Sequence, residues 1–240
     1  MSTLLDCAIA AHGGWDRWQQ IGMLTAHVNI GGAIWHVKGW PDVFADARVS
    51  IDPHHQHTEY TPFQKVGQHT LFESGRVAII AGDGKVIEER PSPREAFAGH
   101  ALTTPWDALH LAYFAGYAMW TYLATPFLFK LPGFQVEEIE PWEENGEIWR
   151  RLKVTSPDGF HGHTREQTFY FNPAGLLRRH DYSVDIMGSG ATSAHYVSDH
   201  KTFGGLVFPT QRRVYPTTSD NKPTLDQVLV SIDIRSVDVT

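Results

Sequence analysis

Cysteine is nearly absent: Cys7 is the only one in 240 residues. No intrachain disulfide can form and no zinc site can be built from thiolates, so a reducing cytoplasm is the expected location. Cys7 reads as a helix-face residue rather than a nucleophile. Clustered positive charge is missing as well. The chain carries 20 Lys and Arg against 27 Asp and Glu, a net charge of −7, and its nearest basic run, Arg178-Arg179-His180, meets Asp181 at once. Nucleic-acid binding needs a clustered excess of cations to displace phosphate counterions, so no nucleic-acid partner is expected. The segment Met1-Ser2-Thr3-Leu4-Leu5-Asp6-Cys7-Ala8 has no basic residue and Asp6 interrupts its only apolar stretch, so it does not read as an export signal. Nucleotide signatures are also missing. Gly31-Gly32 and Gly188-Ser189-Gly190 lack the helix start that a phosphate-cradling loop requires, and no nucleophile elbow occurs. No cofactor is expected.

Long uncharged runs are scarce too, with one exception at residues 108–129, about one bilayer thickness. Its Ala, Gly, Thr and Tyr content, the presence of His110 and its position between β-like regions predict a buried or ligand-covering helix. A stable membrane span is not expected.

What the chain does have is aromatic residues (12%, with 8 Trp) and 14 His. The spacing of Leu4, Leu5, Ile9, Trp15 and Trp18 predicts two short helices joined at His12-Gly13-Gly14. Residues 23–39 then read as a hairpin turning at Gly31-Gly32. Short β-like runs follow at Phe44–Ile51, Thr58–Pro62, Gln68–Glu73, Arg76–Ala81 and Val86–Glu89. The region from about 94 to 131 reads as helical. After it the β pattern returns at Gln135–Pro141, Glu147–Thr155, Thr164–Asn172, Leu176–Ile186, Thr192–His200, Leu206–Tyr215 and Val228–Val239. No repeat or low-complexity linker appears. The expectation is one α+β domain over 1–240, whose strands before and after a helical insertion at about 94–131 form one large antiparallel sheet.

Alternation assigns faces. Val228, Val230, Ile232 and Ile234 share one side of the last strand, and His180, Tyr182, Val184 and Ile186 share one side of an earlier strand. His180 and Tyr182 therefore point toward the interior, where His195 on the next strand joins them. In the helical segment Trp106, His110, Tyr113, Tyr117 and Trp120 fall at offsets 0, 4, 7, 11 and 14, one stripe of a 3.6-residue helix. The stripe serves equally as an aromatic core or as a ligand wall, since a ligand wall combines stacking surfaces with a few polar tips.

The order of elements, with Ala11-His12-Gly13-Gly14-Trp15 in the first helical region and the strand endings 170–182 (YFNPAGLLRRHDY) and 203–215 (FGGLVFPTQRRVY), resembles the LolA-like/LppX-like superfamily. The resemblance implies a large curved sheet, a half-barrel, wrapping central helices. Members of that superfamily carry lipoproteins or other lipids through the cell envelope, whereas no signal peptide and no lipidated cysteine are expected here.

Two readings of function follow. In the first, an apolar or aromatic small molecule lies between sheet and helices, stacked on Trp106, Tyr113, Tyr117 and Trp120 and hydrogen-bonded by His110, His180, Tyr182 and His195. In the second, the same cavity is a cofactor-independent lyase, isomerase or hydrolase, with His180 or His195 as base and Tyr182 as acid. A third class has no cavity: the aromatic stripe docks on a partner or a second copy, as in a homodimer. The clusters His54-His55-Gln56-His57 and His161-Gly162-His163 read as exposed loop or strand-end residues without diagnostic metal spacing, so no metal is expected. The acidic run Glu137-Glu138, Glu140 and Glu143-Glu144 reads as mostly solvated.

Overall fold

A capping box opens the chain: the Thr3 hydroxyl accepts from the Asp6 amide, and the Asp6 carboxylate accepts from the Thr3 amide. The computed structural model describes residues 3–188 and 192–240. Met1 and Ser2 of the N-terminal reading, and Ser189 and Gly190 of the glycine-turn reading, lie outside the described residues. Helix α1 (Leu4–Ala11) and helix α2 (Trp15–Gln19) are separated at the glycines, as their spacing predicted.

Strand β1 (Leu24–Gly31) follows, but the hairpin expected at Gly31-Gly32 does not form; residues Ala33–Lys38 are a helix, α3. Gly32 sits at φ 115°, and a Cβ there would lie 2.5 Å from the Leu229 carbonyl oxygen. The backbone thus turns off the sheet against residue 229 in a conformation that favours glycine. Ile34, Trp35 and Lys38 then bury one helical face. Local β propensity yields because both sides of β1 are already taken by other strands.

Strands β2 (Ala47–Asp52), β3 (His57–Thr61), β4 (His69–Glu73), β5 (Arg76–Ile80) and β6 (Val86–Pro91) form a meander. The region expected to be helical from about 94 to 131 is less regular than its composition predicts. A 3-10 turn at Pro93–Phe97 leads through an irregular stretch to helix α4 (Ala108–Ala124), and a second 3-10 turn spans Phe127–Lys130. Seven strands complete the chain: β7 (Gln135–Glu144), β8 (Glu147–Thr155), β9 (Glu166–Phe171), β10 (Leu177–Ser183), β11 (Thr192–Phe203), β12 (Leu206–Pro216) and β13 (Val230–Val239).

The 13 strands form one open antiparallel sheet in the order β6-β5-β4-β3-β2-β1-β13-β12-β11-β10-β9-β8-β7. The two halves join where β1 pairs with β13, and the helical segment connects the two edge strands, β6 and β7. Helix α4 is buried from Leu111 to Ala124 with no exposed face. A helix apolar on every side must be surrounded, and here the sheet supplies the surroundings by curving around it. The architecture is the α+β half-barrel that the family resemblance implied. An extra residue in β13, Arg235, forms a β-bulge opposite His27 and Val28 and contributes local bend, and across it the buried residue changes from Ile234 to Val237. No helix among the described residues is long and apolar enough to cross a membrane.

Contact between α4 and the sheet is close at Gly116. The Thr58 hydroxyl donates to its carbonyl, and a Cβ on Gly116 would lie 2.4 Å from Phe72 Cβ. Gly→Ala in an exposed helix is favourable by about 1 kcal/mol. At this position the lost clearance dominates, and Gly116→Ala is expected to destabilise by about 1–3 kcal/mol in urea denaturation. A stability equal to or above the parent's would show that α4 can move away from β4.

Candidate functional site

Between α4 and strands β1, β13 and β12 lies a cavity of about 230 Å³. Its helix wall is Phe114, Ala115, Ala118, Met119 and Tyr122, and its sheet wall includes Ile30, Ile232 and Val214. Among the described residues, no side chain lining it is formally charged. Exposed Leu102, Thr192 and Gln227 lie at the rim, so the cavity opens to solvent beside the irregular 98–107 stretch. At the inner end stand the rings of Tyr122 and Tyr182, whose hydroxyls are 3.0 Å apart.

Those hydroxyls end a buried polar chain. The Tyr122 hydroxyl is 2.7 Å from His163 Nε2, and Tyr117 OH is 3.2 Å from His163 Nδ1. His163 stacks flat on Tyr182 with ring centroids 4.0 Å apart. Beside it, His180 and His195 face each other across the β10–β11 register with centroids 6.0 Å apart. His180 Nε2 lies 2.6 Å from Gln167 Oε1, while neither ring nitrogen of His195 has a hydrogen-bond partner among the described residues. Burial dominates the titration of the whole group. It pulls His163 down to about 3 and holds His180 and His195 well below the usual imidazole range. The same desolvation raises Tyr122 to about 12 and places Tyr117 and Tyr182 well above the ordinary phenol.

The sequence-derived candidates separate into two groups. His180, Tyr182 and His195 come together on the α4 side of β10 and β11, and Tyr182 reaches the cavity. Tyr117 joins them through His163. The rest of the aromatic stripe lies elsewhere. Trp106 precedes the N-cap Asp107 and stands over the Lys38 ammonium, and His110 Nε2 lies 3.2 Å from the Ala96 carbonyl oxygen, to which it can donate. Tyr113 meets Arg94 and His161 in a polar cleft, and Trp120 donates to the Asp52 carbonyl. None of these four lines the cavity. Trp106, Tyr113, Tyr117 and Trp120 are buried within their own chain, and His110 is half-buried.

Several residues at the site escape the stripe and turn readings. Tyr122 sits five positions beyond Tyr117, off the stripe by about 140° at 100° per residue. His163 was expected in an exposed loop, yet it is 1% exposed, because residues 161–163 fold beneath α4. Arg212 had a legible signal: Leu206, Phe208, Thr210, Arg212 and Val214 alternate inward on β12, which places a cation on the core side. His54, His55 and His57 go to separate partners, the Ile21 carbonyl, Asp52 and Glu59, respectively.

The opposite face of β10 is also buried. Arg179 grips Asp181 with Nε–Oδ1 at 2.6 Å and Nη2–Oδ2 at 3.0 Å, and reaches Glu144 at 3.1 Å. Trp142, Tyr170 and Tyr196 rings surround its guanidinium, and Asn221 supplies a carbonyl. Glu144, in an acidic run expected to be mostly solvated, is therefore an ion-pair partner.

No protein-family profile and no curated protein matches the chain. Solved structures do match. A putative outer membrane lipoprotein-sorting protein domain from Vibrio parahaemolyticus aligns with TM-score 0.56 at 10% identity, over 99% of this chain and 91% of that one. A DUF1329 family protein from Desulfovibrio piger gives TM-score 0.54 at 11% identity, over 98% and 91%. A LolA superfamily protein from Nitrosomonas europaea gives 0.52 at 11%, over 99% and 92%. The likeness runs the full length of the sheet and its helices, and it establishes that this chain has the LolA-like fold.

Proposed function

We propose that the protein binds a bulky, mainly apolar or aromatic small molecule in the cavity between α4 and the β1–β13–β12 wall. The observation that carries this reading is the cavity itself, apolar along its sides, open at a rim and closed at a pair of tyrosine hydroxyls. Its 230 Å³ is about one and a half times the roughly 150 Å³ that admits benzene in an engineered apolar cavity. A bicyclic aromatic or a short alkyl chain is the matching size. The fold is shared with a putative outer membrane lipoprotein-sorting domain, and an apolar ligand here accords with that description.

The electrostatics favour binding over proton transfer. An efficient general base titrates near the working pH, whereas His163 lies at about 3 and His180 and His195 well below their usual range. Tyr182, pushed upward, is a poor acid but a sound hydrogen-bond donor. The hydroxyl chain therefore serves to orient a ligand's polar group.

Filling the cavity tests the reading. Ala118 faces it from α4, and Ala118→Phe is expected to weaken binding of a naphthalene-class probe by at least about tenfold, a loss of roughly 1.4 kcal/mol. Circular dichroism should show the fold retained. Undiminished probe binding by the folded variant would place the ligand elsewhere.

A further inference from the structure

Arg212 is a buried cation without a carboxylate partner among the described residues. It is 1% exposed, its Nη2 donates to the Tyr122 carbonyl at 2.9 Å, and its Nε has no partner among the described residues. Its guanidinium carbon lies 5.2 Å from the Tyr122 ring centroid. Burial lowers its pKa only to about 10, so it is charged at neutral pH. An unpaired charge at such depth is costly, and charges in protein interiors are ordinarily paired.

The surroundings leave this charge uncompensated. Arg212 lies two residues along β12 from Val214, a cavity residue, and on the same inward side. Facing Val214 across the register is His195, whose ring nitrogens have no partner among the described residues. The neighbouring His163, His180 and His195 are neutral, and the cavity lining contains no acidic side chain among the described residues. A positive field therefore reaches the inner end of the cavity with little screening.

The hydroxyl chain adds direction. His163 must accept at one ring nitrogen and donate at the other when neutral. If Tyr117 donates to Nδ1, then Nε2–H donates to Tyr122, Tyr122 donates to Tyr182, and Tyr182 is left with a hydroxyl proton for the cavity. An acceptor in the cavity selects that polarity over its reverse.

We infer that the ligand is a monoanionic amphiphile, an aromatic or short-chain carboxylate, with its head group at the Tyr182–Tyr122 floor in the field of Arg212 and its apolar body along α4. This rests on the proposed cavity function and names its ligand class.

The experiment compares naphthoate with its neutral ketone isostere acetylnaphthalene, titrated into the full-length protein at about pH 7.5, where the carboxylate is ionised. The parent should bind naphthoate at least about tenfold more tightly, and Arg212→Met should abolish that preference while leaving the ketone's affinity within about threefold. Equal binding of the two probes by the parent, or a preference that survives Arg212→Met, overturns the anion inference and leaves the cavity reading standing. Failure of both probes to bind overturns the cavity reading and the inference with it. Should Arg212→Met not fold, Tyr182→Phe keeps the ring and removes the donor: naphthoate affinity is expected to fall by about tenfold, with a smaller change for the ketone. Unchanged naphthoate affinity in that variant would equally overturn the inference.

Discussion

Acidification from about pH 7 to pH 5 is expected to unfold the protein cooperatively, because its interior holds histidines that must stay neutral. His12, His163, His180 and His195 are each at most 1% exposed. Burial lowers His12 to about 4 and His163 to about 3, and His180 and His195 lie well below the usual range. In the unfolded chain each titrates near 6.5. As pH falls below that value the unfolded state takes up protons that the native state refuses, so stability present above about pH 7 is lost progressively toward the folded pKa values. At pH 5 the loss is about 2 kcal/mol per histidine, or about 8 kcal/mol for four, against a typical total stability of about 5–15 kcal/mol. Tryptophan fluorescence and circular dichroism across a pH titration measure it. His195→Phe tests the cause, since it removes one titrating ring and its two unpartnered nitrogens while keeping an aromatic edge toward Tyr122. It should stabilise the protein by about 2 kcal/mol more at pH 5 than at pH 7.5. A midpoint below about pH 4, or a His195→Phe benefit independent of pH, would show that these rings are not the acid-labile element.

Replacing Arg179 is expected to be the most damaging single change on the outer side of β10. The side chain is fully buried and holds Asp181 by two parallel bonds, with Glu144 as a second acidic partner. Arg179→Met leaves two carboxylates without their cation, one of them also bound by Tyr170 and Asn221. Breaking a buried pair from one side costs about 3–5 kcal/mol. Urea denaturation of Arg179→Met, Asp181→Leu and the double variant measures the coupling, expected at about 2 kcal/mol. A loss below about 1 kcal/mol in Arg179→Met would mean that the network is as weak as a surface ion pair.

Much of the fold was legible because local patterns and tertiary packing agreed. The meander from β2 to β6 and the strands after residue 134 fall within a few residues of where alternation and turn residues placed them. Where they disagreed, burial decided. The Ala33–Lys38 segment reads as strand by its Ile, Trp and Val but is helical, since β1 already has two neighbours and Gly32 turns the chain away. The stretch between Phe97 and Asp107 lacks regular structure although composition suggested helix.

The site divides in the same way. The alternation of β10 was enough to place His180 and Tyr182 inside and to bring His195 beside them, because a period of two is imposed by the backbone alone. The helical stripe found aromatic residues but not the cavity, since α4 is enclosed on every side and periodicity cannot tell which buried face meets a void. Tyr122, His163 and Arg212 converge from α4, a loop and β12, separated by tens of residues, and only the curvature of the sheet brings them together. The sequence by itself determined most of the strands, their faces and the α+β class with one antiparallel sheet, because these follow from short-range chemistry; the half-barrel was implied by the family resemblance. The cavity, its hydroxyl floor and the unpaired Arg212 behind it were decided by tertiary structure, because each depends on how closely distant segments pack around α4.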